Sequence, residues 1–357
     1  MRPNRATSRT STAIIATLLL SSTRNCTSFT TTTTFRHLNH KHHQSSSSSS
    51  NAVCLFSSSS SSSTSTPTRK LLLLRHGESQ TNKSNVFTGW NDVPLSQKGI
   101  LDSLQLGTTI YNNGLRFNTA YISLLGRAET TLALLLSGYN AAKPKEIKPQ
   151  ERVSNNGVIP RELAINIKRN WQLNERHYGD LQGYSKTCLN NLKSSTFHLP
   201  PDFGNTPPYE VNEMVIMEWR RGFNLRPPVM RNTHPHYNDI TNDERYKGLE
   251  NVPRSESLKD TQKRVVGFYR DVIVNALWHS STIPLSNDSN NNTNCLLIVS
   301  HANALRSLIM HFDGISEEDI KAVNIPTAKG FVYEIGEDGE VVSSIKKGEF
   351  RGKFLLQ

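Results

Sequence analysis

The stretch Lys70-Leu71-Leu72-Leu73-Leu74-Arg75-His76-Gly77-Glu78-Ser79 decides the fold class. Its apolar run is short and unbroken, without the polar alternation of a half-solvated strand. That pattern suits a parallel strand covered on both faces. A second run of the same kind, Cys295-Leu296-Leu297-Ile298-Val299, passes into Ser300-His301-Ala302-Asn303. Helix and strand signals alternate between and around the two. Ser96 reads as the N-cap of a helix running to about Asn113. Phe117–Ile122 reads as a strand and Arg127–Ser137 as a helix. Glu256–Trp278 carries apolar residues at helical spacing (Leu258, Val265, Val266, Tyr269, Val272), and Ala304–Phe312 is a further helix. Phe331–Ile335 and Val341–Ile345, split by Gly336-Glu337-Asp338-Gly339, are expected to close the sheet as a hairpin. The alternation predicts an α/β fold, a three-layer α/β/α sandwich around a mostly parallel central sheet.

Both apolar strands end in a histidine. In open α/β sheets the ligand site lies beyond the carboxyl ends of the strands, so His76 and His301 can face one pocket. Helix N-termini at that edge offer amide donors to an anion, and Arg75 offers a forked, permanent cation. A neutral imidazole is a nitrogen nucleophile at physiological pH. Attack on a phosphoryl group asks the protein chiefly for positioning and charge neutralisation. An arginine-rich cradle can do the neutralising, and no carboxylate cluster reads as a metal site, so no metal is expected. A carboxylate remains necessary as general acid for the leaving oxygen.

The chain has 357 residues and a formal charge of +11. The first acidic residue is Glu78, and residues 1–70 already hold eight Lys and Arg. The remainder is close to neutral, which removes most of the case for nucleic-acid binding. Threonine and serine runs fill the same leader at Thr30–Thr34, Ser45–Ser50 and Ser57–Ser63. Residues 1–67 are expected to be a disordered, removable targeting segment, and residues 68–357 the catalytic domain. Ala13–Leu20 resembles a signal core but is too short to span a bilayer, so no membrane association is expected after processing. The composition suits a mitochondrial matrix or plastid stroma destination, against the alternative of a disordered cytosolic extension. Two of the four cysteines lie in the leader; Cys188 and Cys295 show no metal or disulfide spacing.

The motif Leu72–Ser79 resembles the signature of the histidine phosphatase superfamily. Asn174-Glu175-Arg176-His177-Tyr178-Gly179, followed by Leu181-Gln182-Gly183, resembles its cofactor-dependent phosphoglycerate mutase branch. So do Phe87-Thr88-Gly89-Trp90-Asn91, Trp219-Arg220-Arg221-Gly222-Phe223 and Asn324-Ile325-Pro326-Thr327. Motifs matching in order as well as content are far more specific than the Arg-His-Gly triplet alone. The resemblance implies a phosphoglycerate mutase-like fold in which His76 carries the phosphoryl group. Arg75, Arg127 and His301 would hold that group, and Glu175 would move the proton of the substrate hydroxyl. Ser79, Asn82, Thr88, Gly89, Arg176, Tyr178, Lys186, Arg220, Arg221 and Asn303 would line the substrate site. The implied reaction interconverts 3-phosphoglycerate and 2-phosphoglycerate, with 2,3-bisphosphoglycerate as the priming phosphoryl donor. A phosphatase or bisphosphoglycerate mutase activity could use the same scaffold, and a non-catalytic phosphate-sensing module is a third reading. Self-association into a homo-oligomer is a further implication of the resemblance.

The chain departs from the family pattern in several places. Thr81 stands where Trp is common and is expected to loosen packing beside the phosphate loop. Ala302 replaces the Gly of His-Gly-Asn and would resist a positive φ. Stretches at about Asn140–Asn170 and Ser280–Asn294 read as an insertion and a surface loop. The short end Gly348–Gln357 is expected to cover the site poorly and so to favour hydrolysis of the phosphoenzyme. Of the adjacent pair Arg176 and His177, Arg176 is the one expected to face the pocket. His234 and His236 read as exposed loop residues.

Overall fold

The leucine run forms strand β1 (Arg69–Arg75), and its alternate side chains enter opposite faces of the sheet. Leu71 and Leu73 join Leu296 and Ile298 in one core, while Leu72 and Leu74 join Leu297 and Val299 in another. Both faces are dry, which is why the run shows no polar alternation. Each leucine buried in this way stabilises the fold by about 1.5–3 kcal/mol.

The computed structural model describes residues 67–143, 165–186, 213–278, 293–343, 345, 347 and 349–355. After β1 come α1 (Gln80–Lys83), α2 (Gln97–Asn112), β2 (Leu115–Arg116), β3 (Thr119–Ile122), α3 (Gly126–Ala141) and β4 (Asn166–Arg169). Then follow α4 (Glu213–Arg221), α5 (Tyr237–Thr241), α6 (Leu258–Phe268), α7 (Val274–Trp278), β5 (Thr293–Ser300), α8 (Ala302–Asp313), β6 (Gly330–Ile335) and β7 (Lys353–Phe354). The strand order is β4-β3-β5-β1-β6-β7, with β2 beside β5. Strands β1 to β5 pair in parallel, and β6 and β7 are added antiparallel at one edge. Helices α2 and α3 cover one core, and α6 and α8 cover the other, giving the three layers. Helices α2 and α3 approach each other through glycines. A Cβ on Gly107 would lie 1.9 Å from the carbonyl oxygen of Leu135, and one on Gly138 1.9 Å from that of Leu104.

The register positions the site. Arg75 lies opposite Ser300 across the β1–β5 pair, so His76 and His301 leave the sheet side by side. Ile122 lies opposite Val299, which brings the start of α3 to the same edge.

Two element expectations are corrected. The expected hairpin is present only at its turn: Val341 bridges Ile335 and the Val342 N–H donates to the Glu334 carbonyl (2.8 Å), but no second strand extends from there, and β7 pairs the earlier β6 residues Phe331 and Val332. Arg351 fixes this path by donating to the carbonyls of Phe312 (3.0 Å) and Val341 (2.6 Å), and Phe350 and Phe354 pack against Phe331. The long helix begins at Leu258, because Ser257 and Asp260 form a capping box, and it opens into a π-helical turn at Tyr269–Ile273 before α7. Cys295 is buried, and burial pushes its thiol up to about 12, so it is inert. The targeting leader, Cys188, and most of the expected insertion and the Ser/Asn-rich loop lie outside the described residues.

Candidate active site

His76 sits at the carboxyl end of β1 and is almost wholly buried. Its Nδ1 lies 2.6 Å from the carbonyl oxygen of Gly77. A carbonyl only accepts, so Nδ1 carries the proton and the lone pair resides on Nε2. Burial, and then the neighbouring Arg127 and Arg75 guanidiniums, hold the imidazole well below its ordinary value of 6.5. It is therefore neutral at physiological pH. The loop after His76 is docked onto α3, since the Gly77 N–H donates to Thr131 Oγ1 (2.9 Å) and that hydroxyl donates to the Arg127 carbonyl (2.7 Å).

His301 is the N-cap of α8, with its ring centroid 4.9 Å from that of His76. Ser123 Oγ lies 2.7 Å from His301 Nε2 and accepts the Leu125 N–H at 3.3 Å, which fixes the ring against β3. Among the described residues the buried Nδ1 of His301 has no hydrogen-bond partner. Burial and Arg127 keep this imidazole, too, well below its ordinary value.

In front of these rings lies a cavity of about 360 Å³. Its wall holds six cations, Arg75, Arg127, Lys186, Arg220, Arg221 and Arg306, against two carboxylates, Glu78 and Glu175. Arg127 is anchored by donation to the carbonyls of Asn91 (2.9 Å) and Gly89 (2.8 Å), and burial lowers it to about 10. Arg75 donates to the Ile325 carbonyl, while its buried Nε has no partner among the described residues. Burial, and then the charges of Arg220 and Arg75, push Lys186 down to about 8. Such an excess of desolvated cations is costly without an anion. Glu175 is held from one side: its Oε1 accepts N–H groups from Arg176 (2.7 Å) and Asn303 (3.2 Å) and the Asn303 amide (2.9 Å). The loop behind it is fixed by Arg264, which pairs with buried Glu256 at 2.7 Å and donates to the carbonyls of Gln172, Asn174 and Glu175.

Of the residues expected at the site, Arg75, His76, Asn82, Thr88, Gly89, Arg127, Glu175, Tyr178, Lys186, Arg220, Arg221 and Asn303 line this one cavity. His301 packs directly against His76. Two others stand outside the lining. Arg176 points away and donates to the carbonyls of Glu256 (2.8 Å), Gly222 (3.4 Å) and Leu225 (3.1 Å), contributing only its backbone N–H to Glu175. Ser79 caps α1 in a reciprocal box with Asn82. His177 is equally buried behind the cavity, with its Nδ1 accepting the Gly179 N–H at 3.0 Å. His234 is not an exposed loop residue; it is buried, with Nε2 3.0 Å from the Gln182 carbonyl, whereas His236 stands partly exposed beside Asp239. Thr81 joins a hydroxyl chain instead of leaving a slack contact, lying 3.0 Å from Ser79 Oγ and 2.6 Å from Thr88 Oγ1. Ala302 is the first residue of α8 and has no positive φ, so the position does not require glycine.

Reading the sequence missed Glu78, Arg306 and the segment from Asn324 to Thr327 as wall residues. Arg306 could have been found from its spacing: three residues after Asn303 on a helix is the same face.

The family model for the histidine phosphatase superfamily (branch 1) matches residues 71–153 and 210–347. A protein of Corynebacterium kroppenstedtii named 2,3-bisphosphoglycerate-dependent phosphoglycerate mutase is 36% identical over 274 residues, covering 77% of this chain and 89% of that one. One of the same name from Borreliella burgdorferi is 34% identical over 75% of this chain and 88% of its own. Among solved structures, Mycobacterial hydrolase 1 aligns with a TM-score of 0.48 at 16% identity, covering 81% of this chain and 97% of that one. The matched segments hold both histidine-bearing strand ends. The chain thus belongs to branch 1 of the histidine phosphatase superfamily.

Proposed function

We propose that this chain is a phosphoglycerate mutase that interconverts 3-phosphoglycerate and 2-phosphoglycerate through phosphohistidine at position 76. The observation that carries the reading is the neutral His76, its Nδ1 tied to Gly77, beside a wall of six cations that also holds Glu175. The relatives named above support the substrate assignment.

The site fits a bisphosphorylated acid. Such an anion carries two phosphates of about −1.5 to −2 each and a carboxylate. Arg75 Nε and His301 Nδ1 are buried nitrogens with no hydrogen-bond partner among the described residues. 2,3-Bisphosphoglycerate supplies, when bound, the phosphoryl group that primes His76. His76 Nε2 attacks phosphorus; Arg75, Arg127 and the His301 N–H stabilise charge on the phosphoryl oxygens. Glu175 takes the proton of the attacking substrate hydroxyl and returns it to the leaving one through its second oxygen. Arg220, Arg221 and Lys186 hold the remaining anionic groups while the intermediate turns.

A coupled assay of the full chain, with 2,3-bisphosphoglycerate titrated, tests this. Mutase turnover that rises with the priming compound, together with an acid-labile phosphoryl group absent from His76→Ala, is expected. Phosphate release without mutase turnover would instead assign a phosphatase. The basic, acid-free leader supports delivery to a mitochondrial matrix or plastid stroma after cleavage near residue 67. Sequencing the N-terminus of the protein isolated from its cell checks this, and an uncleaved start would reject it.

A further inference from the structure

A donor chain in the cavity wall ends on Glu175. Arg306 Nη1 donates to Asn303 Oδ1 at 2.9 Å. A guanidinium has no acceptor, so it fixes which end of the amide faces it. The Asn303 nitrogen must then point the other way, and it donates both to Glu175 Oε1 and to Tyr178 Oη, each at 2.9 Å. With the N–H groups of Arg176 and Asn303 added, Oε1 receives three donors. Proton exchange is thereby confined to Oε2.

We propose that Arg306 is a positioning residue for proton transfer: it locks the Asn303 amide so that Glu175 presents a single free oxygen to the substrate hydroxyl. The inference rests on the reading of Glu175 as the proton carrier. Were the amide to turn over, its oxygen would face Glu175 Oε1, setting acceptor against acceptor, and the carboxylate would rotate or take up a proton. Arg306 is itself held fast. Its Nη2 donates to the carbonyl of Arg221 at 3.2 Å and to that of Ile320, and its side chain is almost fully buried. Three of its N–H groups therefore go to protein acceptors. Arg306 lines the cavity as Arg220 does, but these three N–H groups are committed to the protein, whereas Arg220 is assigned above to the substrate anion.

Two phosphoryl donors separate positioning from direct anion binding. Mutase turnover expels a sugar-acid alkoxide that needs a proton. The burst of phenolate from 2,4-dinitrophenyl phosphate, released as His76 is loaded, needs none. For Arg306→Gln in the full chain, mutase kcat is expected to fall about 10²-fold with little change in KM, in line with the loss of general acid–base assistance. The burst rate is expected to fall at least tenfold less. Arg306→Lys keeps one donor for Asn303 and should recover part of kcat, and it carries the test if the Gln variant does not fold. Equal losses on both donors, or a rise in KM at unchanged kcat, overturn the inference and make Arg306 a plain anion ligand. Absence of both phosphoryl loading and mutase turnover in the unmutated protein would reject the proposed function instead.

Discussion

Two cavities share the Ser79–Thr81–Thr88 hydroxyl chain: Thr88 lines the one beside His76, and Thr81 lines a second. The second, of about 520 Å³, is lined by Thr81, Trp90, Asp92, Asp243 and Arg245 among others. Its arginine is paired: Arg245 bonds both Asp92 (2.6 Å) and Asp243, which drives Arg245 above and Asp243 below their ordinary values. In the cavity beside His76 the cations outnumber the carboxylates, buried nitrogens lack partners among the described residues, and Lys186 is pushed down, not up. A pocket with internally paired charges is finished by folding. A pocket whose charges strain against each other is finished only by an anion.

The strongest challenge to this contrast is His76→Ala. Mutase turnover should drop by about 10⁴-fold or more, as for other covalent nucleophiles, while the thermal transition stays within a few degrees. A variant that keeps substantial turnover would break the assignment. Arg264→Met tests the buried ion pair that backs the Glu175 loop. It strands the Glu256 carboxylate and unties the Glu175 loop, so unfolding by denaturant should show a loss of about 3–5 kcal/mol.

Lys186 gives the contrast a pH signature. Its ammonium loses its proton near 8 in the free protein, against an ordinary 10.5. Affinity for 3-phosphoglycerate should therefore weaken as pH rises through about 8, and Lys186→Arg should shift that limb upward in a binding titration. The stability effect has the opposite sign. Between about 8 and 10.5 the unfolded chain binds the extra proton, so this group makes the ligand-free fold more stable as pH rises. The smallest effect is expected in the second cavity. Arg245, 38% exposed, should cost less than about 1 kcal/mol on conversion to Gln, with kcat unaltered in the coupled assay. A large loss of activity there would erase the distinction between the two cavities.

Much of the site was legible because its chemistry sits at strand ends. An unbroken apolar run announces a strand buried on both faces, and the residue after it must emerge at the ligand edge. His76, His301 and the Ser96 cap follow from local pattern alone. Arg176 and His234 did not, because whether a cation or an imidazole faces a cavity or a backbone carbonyl depends on what packs behind it. The carbonyls of Gly222, Leu225 and Glu256 take the Arg176 guanidinium, and that of Gln182 takes the His234 ring. The closing hairpin came out shorter than its pattern for a similar reason: the Val341 side pairs only the end of β6, and β7, held by the phenylalanines around it, takes the rest of that edge.

The sequence by itself determined the layered α/β class, the two histidines and the identity of most wall cations, since periodicity and motif order are properties of the chain. Only the tertiary structure decided the tautomer of His76, the single-sided grip on Glu175 and the place of Arg306. Each is a hydrogen-bond choice between groups distant in sequence, and donors find their acceptors only once the register of β1 against β5 has brought them within reach.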